Sequence, residues 1–349
     1  MEAYFIMLSV PSMLAMLAAK KKQTYWIAAV FLLFVFLIGF RLNVGMDWNN
    51  YEYTHSVIKH ESPGDILLSP EPFSSLLFWA SANMNVGTLL SNVVAAAILM
   101  LGVLSFAMRT PNPWLAVVAA TPYLIIAFGM SGIRQAMAAG IVLFTLSVWE
   151  QVGTSRKSAG MVAASLFHTS ALMGVLFVLW DIRLRFAYKL GFAIIVSALV
   201  YFVSRSAAQY TGNLQFYQDA YLVGERAVAS PGALFHIALV AIPAGLYLVN
   251  RRRFQKYLQS DRMMLIGTWM VVGVSLLFFA SSTGASRLTL YLYFLPMTVF
   301  SVLPQIFHKR QRLLIVGGIV TFHFVILASW LFFANNSFAH IPYRNIIFE

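Results

Sequence analysis

The chain of 349 residues has no cysteine, and only 12 acidic residues stand against 24 lysines and arginines. The missing cysteine excludes disulfides, thiol nucleophiles and cysteine-ligated metals. Charged residues make up 10% of the chain, whereas a soluble domain carries about 25%. No Walker motif, zinc motif or nucleophile elbow is present, and no internal repeat or low-complexity tract is visible. What remains is apolar: 60% of residues are hydrophobic, in long runs with no soluble-looking insert. Length alone suggests two soluble domains; the composition instead predicts a single all-α membrane domain over 1–349.

A helical crossing needs about 20 predominantly apolar residues. Runs near 3–19, 24–40, 86–108, 114–130, 133–149, 187–203, 233–250, 263–282, 286–303 and 313–334 predict about ten transmembrane helices in a polytopic protein. The net charge of +12 is not a nucleic-acid signature, because the basic residues sit in short clusters between apolar runs, as in cytoplasmic loops. No basic segment precedes the first run, and Lys20-Lys21-Lys22 follows it, so a cleavable signal is not expected.

Charge parity sets the topology. With Lys20-Lys21-Lys22 inside, the N-terminus and the stretch from Arg41 lie outside, and three further crossings bring Arg156-Lys157 inside. If 158–182 then crossed once, Arg183, Arg185, Lys189 and Arg251-Arg252-Arg253 would all fall outside, against the positive-inside rule. The segment near 158–182 is therefore expected to be a re-entrant helical hairpin with its tip near His168. Non-helical backbone at that depth requires surrounding protein or a polar cavity. This topology places 17 of the 24 basic residues inside with three acids, Glu150, Asp181 and Asp261, and nine acids outside. Both termini are then outside, as are two loops, about 41–85 and 204–232.

Ionisable residues within or beside a span cost free energy and are functional candidates by default. Four groups gather at the predicted outer boundary. Arg41 through Tyr51 combines Arg41, Asp47, Trp48, three asparagines and Tyr51 around Gly45; a belt of interfacial anchors is the plainer account. Arg134-Gln135 begins a helix whose next turn is small, Ala136, Ala138, Ala139 and Gly140, which permits close helix approach. A rigid Arg there suits phosphate; the structural alternative pairs it with an acid such as Asp47. His168, with Thr169 and Ser170, sits at the expected hairpin tip and suits phosphate donation or proton transfer. Arg287 follows a polar turn, Ser281-Ser282-Thr283-Gly284-Ala285-Ser286, and is expected at a helix start.

Three arginines at one level point to an anionic ligand, with phosphate the natural match for guanidinium. The acids Asp47, Glu52, Asp65 and Glu71, with Trp48, Tyr51 and Tyr53, suit carbohydrate hydroxyls and ring faces. Together they suggest a protein that handles a lipid-linked sugar.

Arg41 followed by Gly45-Met46-Asp47-Trp48-x-x-Tyr51 resembles the R-x-x-x-G-x-D-(aromatic)-x-x-Y motif of EpsG-like Wzy polysaccharide polymerases. Glu71-Pro72-Phe73 resembles the E-P motif that follows it, Arg134-Gln135 the family's R-Q, His168-Thr169-Ser170 its H-x-S element, and Arg287 a late basic position. Met46 stands where a small residue is common, and Trp48 where Tyr is common. The resemblance implies an enzyme of the bacterial inner membrane that joins undecaprenyl-pyrophosphate-linked oligosaccharide units at the outer face, making exopolysaccharide, O-antigen or capsule without metal or other cofactor. It implies that Arg134, Arg287 and Arg41 stabilise the leaving pyrophosphate, that Asp47 activates or orients the acceptor hydroxyl, and that His168 supports pyrophosphate or relays a proton. Trp48, Tyr51, Glu71, Gln135 and Ser170 become substrate-binding candidates. Membrane lipid, a flippase and a chain-length regulator are the implied partners; nucleic acid is not.

Other readings stay open. A glycan ligase uses the same carrier but usually has a larger outer loop. A transporter or flippase often shows repeated halves and broken midplane helices. A membrane acyltransferase would carry motifs of its own.

Overall fold

Helix packing begins from two glycines. A Cβ on Gly102 would collide with the backbone of Gly140, and one on Gly140 would collide with the backbone at Ile98 and Leu99. Helix α6 (Leu89–Ala107) and helix α8 (Ile133–Ser147) therefore touch backbone to backbone, the closeness that small residues permit. Ala136, Ala138 and Ala139 of the same helix are also buried.

The computed structural model describes residues 1–17, 23–182 and 232–349, with the single positions 185, 188, 191 and 230 between them. Lys20–Lys22, Arg183, Lys189, the crossing expected at 187–203 and nearly all of the loop expected at 204–232 lie outside the described residues. Among the described residues the secondary structure is helical, apart from one isolated bridge between Arg41 and Asn345.

Helices α1 (Glu2–Leu17) and α2 (Gln23–Gly39) open the chain. Helix α7 (Pro113–Ala120) continues as a π-helix, Thr121–Phe128. Pro122 has no N–H for the α-helical ladder, and the Thr121 hydroxyl donates to the Val117 carbonyl at 2.8 Å. After the described break come α11 (Ala233–Phe254), α12 (Asp261–Leu277), α13 (Ser282–Leu288), α14 (Phe294–Val302) and α15 (Arg312–Phe333).

Three described helical stretches are long and apolar enough to cross a membrane: Leu89–Ala107, Ala233–Phe254 and Lys309–Phe333. Ser282–Leu292 with Phe294–Ile306, bent by 48°, makes a fourth if read as one span. The expected count of about ten is thus not confirmed. The reason is length: Glu2–Leu17, Thr24–Gly39, Pro113–Phe128, Ile133–Ser147 and Thr169–Asp181 are apolar but have at most 17 residues. At 1.5 Å per residue such a helix reaches about 25 Å, short of a hydrocarbon core of about 30 Å.

The segment expected to be a hairpin folds back on itself. Helix α9 (Thr154–Phe167) stops where His168 takes extended backbone angles, φ −155° and ψ 124°. A 3-10 turn, Thr169–Gly174, and helix α10 (Val175–Asp181) return the chain. Lys157 Nζ lies 2.6 Å from the Asp181 carboxylate and 4.6 Å from the centre of the Trp149 ring, closing the base. Phe177 packs edge-on against both Trp149 and Phe294.

The base of this hairpin joins other basic groups. Arg262 lies 3.5 Å from Asp181, Arg109 donates to Gln151 at 3.3 Å, and Gln259 donates to the Arg109 carbonyl at 2.8 Å. Basic clusters from separate apolar runs therefore meet at one end of the molecule, and the His168 tip points to the other.

At the His168 end, helix α3 (Trp48–Ile58) buries Trp48, Tyr51, His55 and Ile58, one face at helical spacing. Helix α4 (Pro63–Leu67) and helix α5 (Pro72–Asn83) complete this layer. Tyr51, Ile58, Ile66, Phe78 and Ala82 form a small core with Ile133 and Met137 of α8. The chain after α15 returns to the same end, where Tyr4 donates to the His340 carbonyl at 2.6 Å and the Leu42 amide to the Arg344 carbonyl at 3.1 Å.

Candidate functional site

Gly45 positions the first motif. Its φ of +113° lies in the region that favours glycine, and a Cβ there would strike the Met130 carbonyl. The Gly45 amide donates to the Ala339 carbonyl at 2.8 Å, and the Met46 amide donates to the Ser131 hydroxyl at 3.2 Å. The motif loop is thereby fastened to the turn just before α8, three residues ahead of Arg134. That contact carries Asp47 to the Arg134 end of the helix.

Arg134 extends from the first turn of α8 with its side chain 40% exposed. Its Nη1 lies 2.7 Å from Glu71 Oε2, so the acid it pairs with is Glu71, not Asp47. The other oxygen, Oε1, accepts from the Thr169 amide at 3.0 Å and the Thr169 hydroxyl at 3.4 Å, and lies 3.2 Å from His168 Nδ1. Ser74, in the first turn of α5, donates to the Phe167 carbonyl at 2.6 Å and clamps the Glu71 turn to the hairpin tip.

A second layer lies behind. Gln135 donates to the Ser170 hydroxyl at 3.0 Å; that hydroxyl lies 2.8 Å from the Tyr291 hydroxyl and 3.2 Å from His168 Nδ1. Tyr291 was not among the sequence candidates. Its signal was available: it stands four residues after Arg287, in the 3-10 turn that follows that helix.

Arg287 belongs to this cluster, since Asp47 and His168 both lie within its electrostatic reach and within that of Arg134. The expected helix start is corrected. Arg287 lies in the last turn of α13, whose N-terminus is at Ser282 and is capped by Ser281 accepting from the Gly284 amide. The polar turn supplies the cap, and the arginine follows one helical turn later.

The two loop carboxylates differ. Burial raises the Asp47 pKa, and Arg287, Arg134 and Asn50 only partly offset this, so Asp47 stands above the ordinary aspartate value. Burial also acts to raise Glu71, but Arg134, His168 and Thr169 outweigh it and hold that carboxyl below its ordinary value. The two loop carboxyls are thus pushed in opposite directions.

Arg41, Trp48 and Tyr51 sit differently from the rest. Arg41 is 1% exposed and donates to the Ile38 carbonyl at 2.6 Å and the Val44 carbonyl at 3.1 Å, tying the end of α2 to the motif loop. The structure does not bring its guanidinium to the Glu71 cluster. Trp48 and Tyr51 are buried, Tyr51 against Phe78 at 5.5 Å, while Tyr53 is exposed. The C-terminal contacts at Ala339, Arg344 and Asn345 were also missed, because nothing in local spacing couples residue 345 to residue 41.

Arg134 and Arg287 thus both act electrostatically on Asp47 and on the partly buried His168 imidazole, beside a glutamate that pairs with Arg134, an arrangement suited to binding an anion beside a proton acceptor. No curated protein and no solved structure matches the chain. The model of the EpsG family matches residues 24–345. The apolar helices and this match make the chain an integral membrane protein. With nearly its whole length covered, the chain belongs to the EpsG family, whose members are Wzy-like polymerases.

Proposed function

We propose that this protein polymerises undecaprenyl-pyrophosphate-linked oligosaccharide units at the outer face of a bacterial inner membrane. The observation that carries this reading is the gathering of Arg134 and Arg287 around Asp47, a carboxylate whose pKa burial has raised. Two guanidiniums suit a diphosphate leaving group, and an acid of raised pKa beside them suits an acceptor hydroxyl. In the proposed step the acceptor oxygen attacks the anomeric carbon of the donor. The bond from that carbon to the diphosphate oxygen breaks, and its electron pair leaves with the lipid diphosphate. The acceptor proton passes to Asp47. Arg134 and Arg287 stabilise the charge as it develops on the leaving group, and His168 supports the diphosphate or relays a proton.

Arg41 then serves the site through the backbone it holds, and Trp48 and Tyr51 through the packing of α3. Gln135 and Ser170 orient His168. The end bearing Arg109, Lys157 and Arg262 faces the cytoplasm, and the hairpin 154–181 is re-entrant from that side. The meeting of separate basic clusters at that end supports this orientation. Both termini lie on the outer side.

The test is lengthening of lipid-linked oligosaccharide by the purified protein in detergent. Ladders of added units are expected, and Arg134→Ala abolishes them. In cells, loss of a polymerase leaves single repeat units on the carrier, while loss of a ligase leaves uncoupled polymer. Uncoupled polymer, or a protein that moves the lipid without extending it, would overturn the assignment.

A further inference from the structure

Glu71 spends both carboxylate oxygens on the groups best suited to bind a substrate anion. Oε2 takes Arg134 at 2.7 Å, and Oε1 takes the Thr169 amide at 3.0 Å and hydroxyl at 3.4 Å, with His168 Nδ1 at 3.2 Å. A carboxylate and a phosphate offer such donors the same face: two acceptor oxygens on one anionic centre, matched by a guanidinium and a backbone N–H. A phosphate cannot use these donors while Glu71 holds them, because two anions would stand in contact.

The surroundings allow the side chain to leave without unmaking the fold. Glu71 precedes α5, and the clamp to the hairpin comes from its neighbour, Ser74 to the Phe167 carbonyl at 2.6 Å. The Ser75 amide donates to the Glu71 carbonyl at 3.0 Å, so the backbone is held independently of the carboxylate. The Arg134 side chain, at 40% exposure, is open to an incoming group, while that of Glu71 is 11% exposed.

We infer that the Glu71 carboxylate stands in the place of a substrate phosphate, and that an organic diphosphate binds at Arg134 and Thr169 by displacing it. This rests on reading the site as one for a lipid diphosphate. The glutamate is an internal competitor. It keeps the donors ordered while the site is empty, and its return after transfer favours release of the lipid diphosphate product. Its contacts with Arg134 and Thr169 hold its carboxyl below the ordinary value despite burial, which favours the charged form of the competitor.

The experiment is titration calorimetry on the full chain in detergent, with undecaprenyl diphosphate and inorganic pyrophosphate as probes. Glu71→Gln keeps the shape and removes the charge, and is expected to bind both probes about tenfold more tightly than the wild type, since the competing state is lost. Glu71→Asp keeps the charge but withdraws it by one methylene. It is expected to shift affinity in the same direction, and decides the matter if Glu71→Gln does not fold. Equal or weaker binding by the folded variants overturns the inference and makes Glu71 a positioning residue. A shift with undecaprenyl diphosphate but none with pyrophosphate also overturns it, because the gain would then come from the lipid chain. Arg134→Gln separates the two levels: if it binds both probes like the wild type, the diphosphate reading of the site fails, whatever Glu71 does.

Discussion

Lys157 and Asp181 lie 24 positions apart in sequence and 2.6 Å apart in space. A straight helix over that interval would separate them by about 36 Å. The chain between them therefore goes out and comes back, and His168 is where it turns.

Breaking this pair leaves one charge without its partner, at a cost of about 3–5 kcal/mol for a fully buried pair, less here because the Lys157 and Asp181 side chains keep 10% and 19% exposure. Asp181→Asn is expected to lower the detergent melting temperature clearly. The double variant Lys157→Met with Asp181→Leu is expected to recover much of the loss, since apolar groups of similar size avoid desolvation. A double-mutant cycle measures the coupling; a coupling of zero would show that the pair does not hold the hairpin closed.

The absence of cysteine makes the path of the hairpin directly testable. Single cysteines placed at Thr154 and Ile182 in intact cells are expected to resist a membrane-impermeant maleimide applied from outside, both reacting only after permeabilisation. Opposite accessibility of the two would mean that the segment crosses the membrane once.

In the proposed step Arg134→Ala removes a cation aimed at developing charge. Loss of such a donor costs about 10²–10³ in kcat, so polymer yield in cells should collapse while protein level persists. Arg41→Met is expected to behave differently. Its guanidinium satisfies the Ile38 and Val44 carbonyls from a buried position, so the protein itself should be lost from the membrane. Western blotting beside polymer analysis separates the two outcomes.

The raised pKa of Asp47 sets the sign of the pH dependence. In the proposed step the ionised form is the base, so turnover should fall as pH drops through that pKa, at a pH above the ordinary aspartate range. Arg287 lowers this pKa. Arg287→Gln should therefore move the acidic limb to higher pH, and Arg287→Lys should move it less. Asp47→Asn should lose about 10²–10⁴ in rate, and a variant that kept near-normal polymerisation would remove Asp47 from the role of base.

Gly45→Ala places a methyl group against the Met130 carbonyl at a φ of +113°. Both faults act on the loop that carries Asp47. The expected result is a fall in melting temperature together with a fall in activity, whereas Gly87→Ala, at a φ of +55° with open space around it, should lower stability slightly and leave activity near normal.

Much of the candidate site could be read along the chain because its parts are short and ordered. Arg134-Gln135 followed by small residues marked a close-packed helix start, and α6 with α8 forms it through Gly102 and Gly140. Charge parity marked a reversal near His168. Pairing could not be read. Glu71 was one of several loop acids, and nothing local singles it out as the partner of a residue 63 positions away. Arg41 and Arg134 looked alike as boundary cations. What separates them is the C-terminal segment, which lies over the end of α2 and buries one while leaving the other open.

That this is a membrane protein of helices is legible along the chain, because hydrophobicity acts on each segment independently of its partners. Only the folded arrangement puts Arg41 on buried backbone carbonyls and Arg134 beside Glu71, and pushes the Asp47 carboxyl up while holding that of Glu71 down. Those properties depend on what lies within a few ångströms in space, and the contacts that set them join residues tens to hundreds of positions apart.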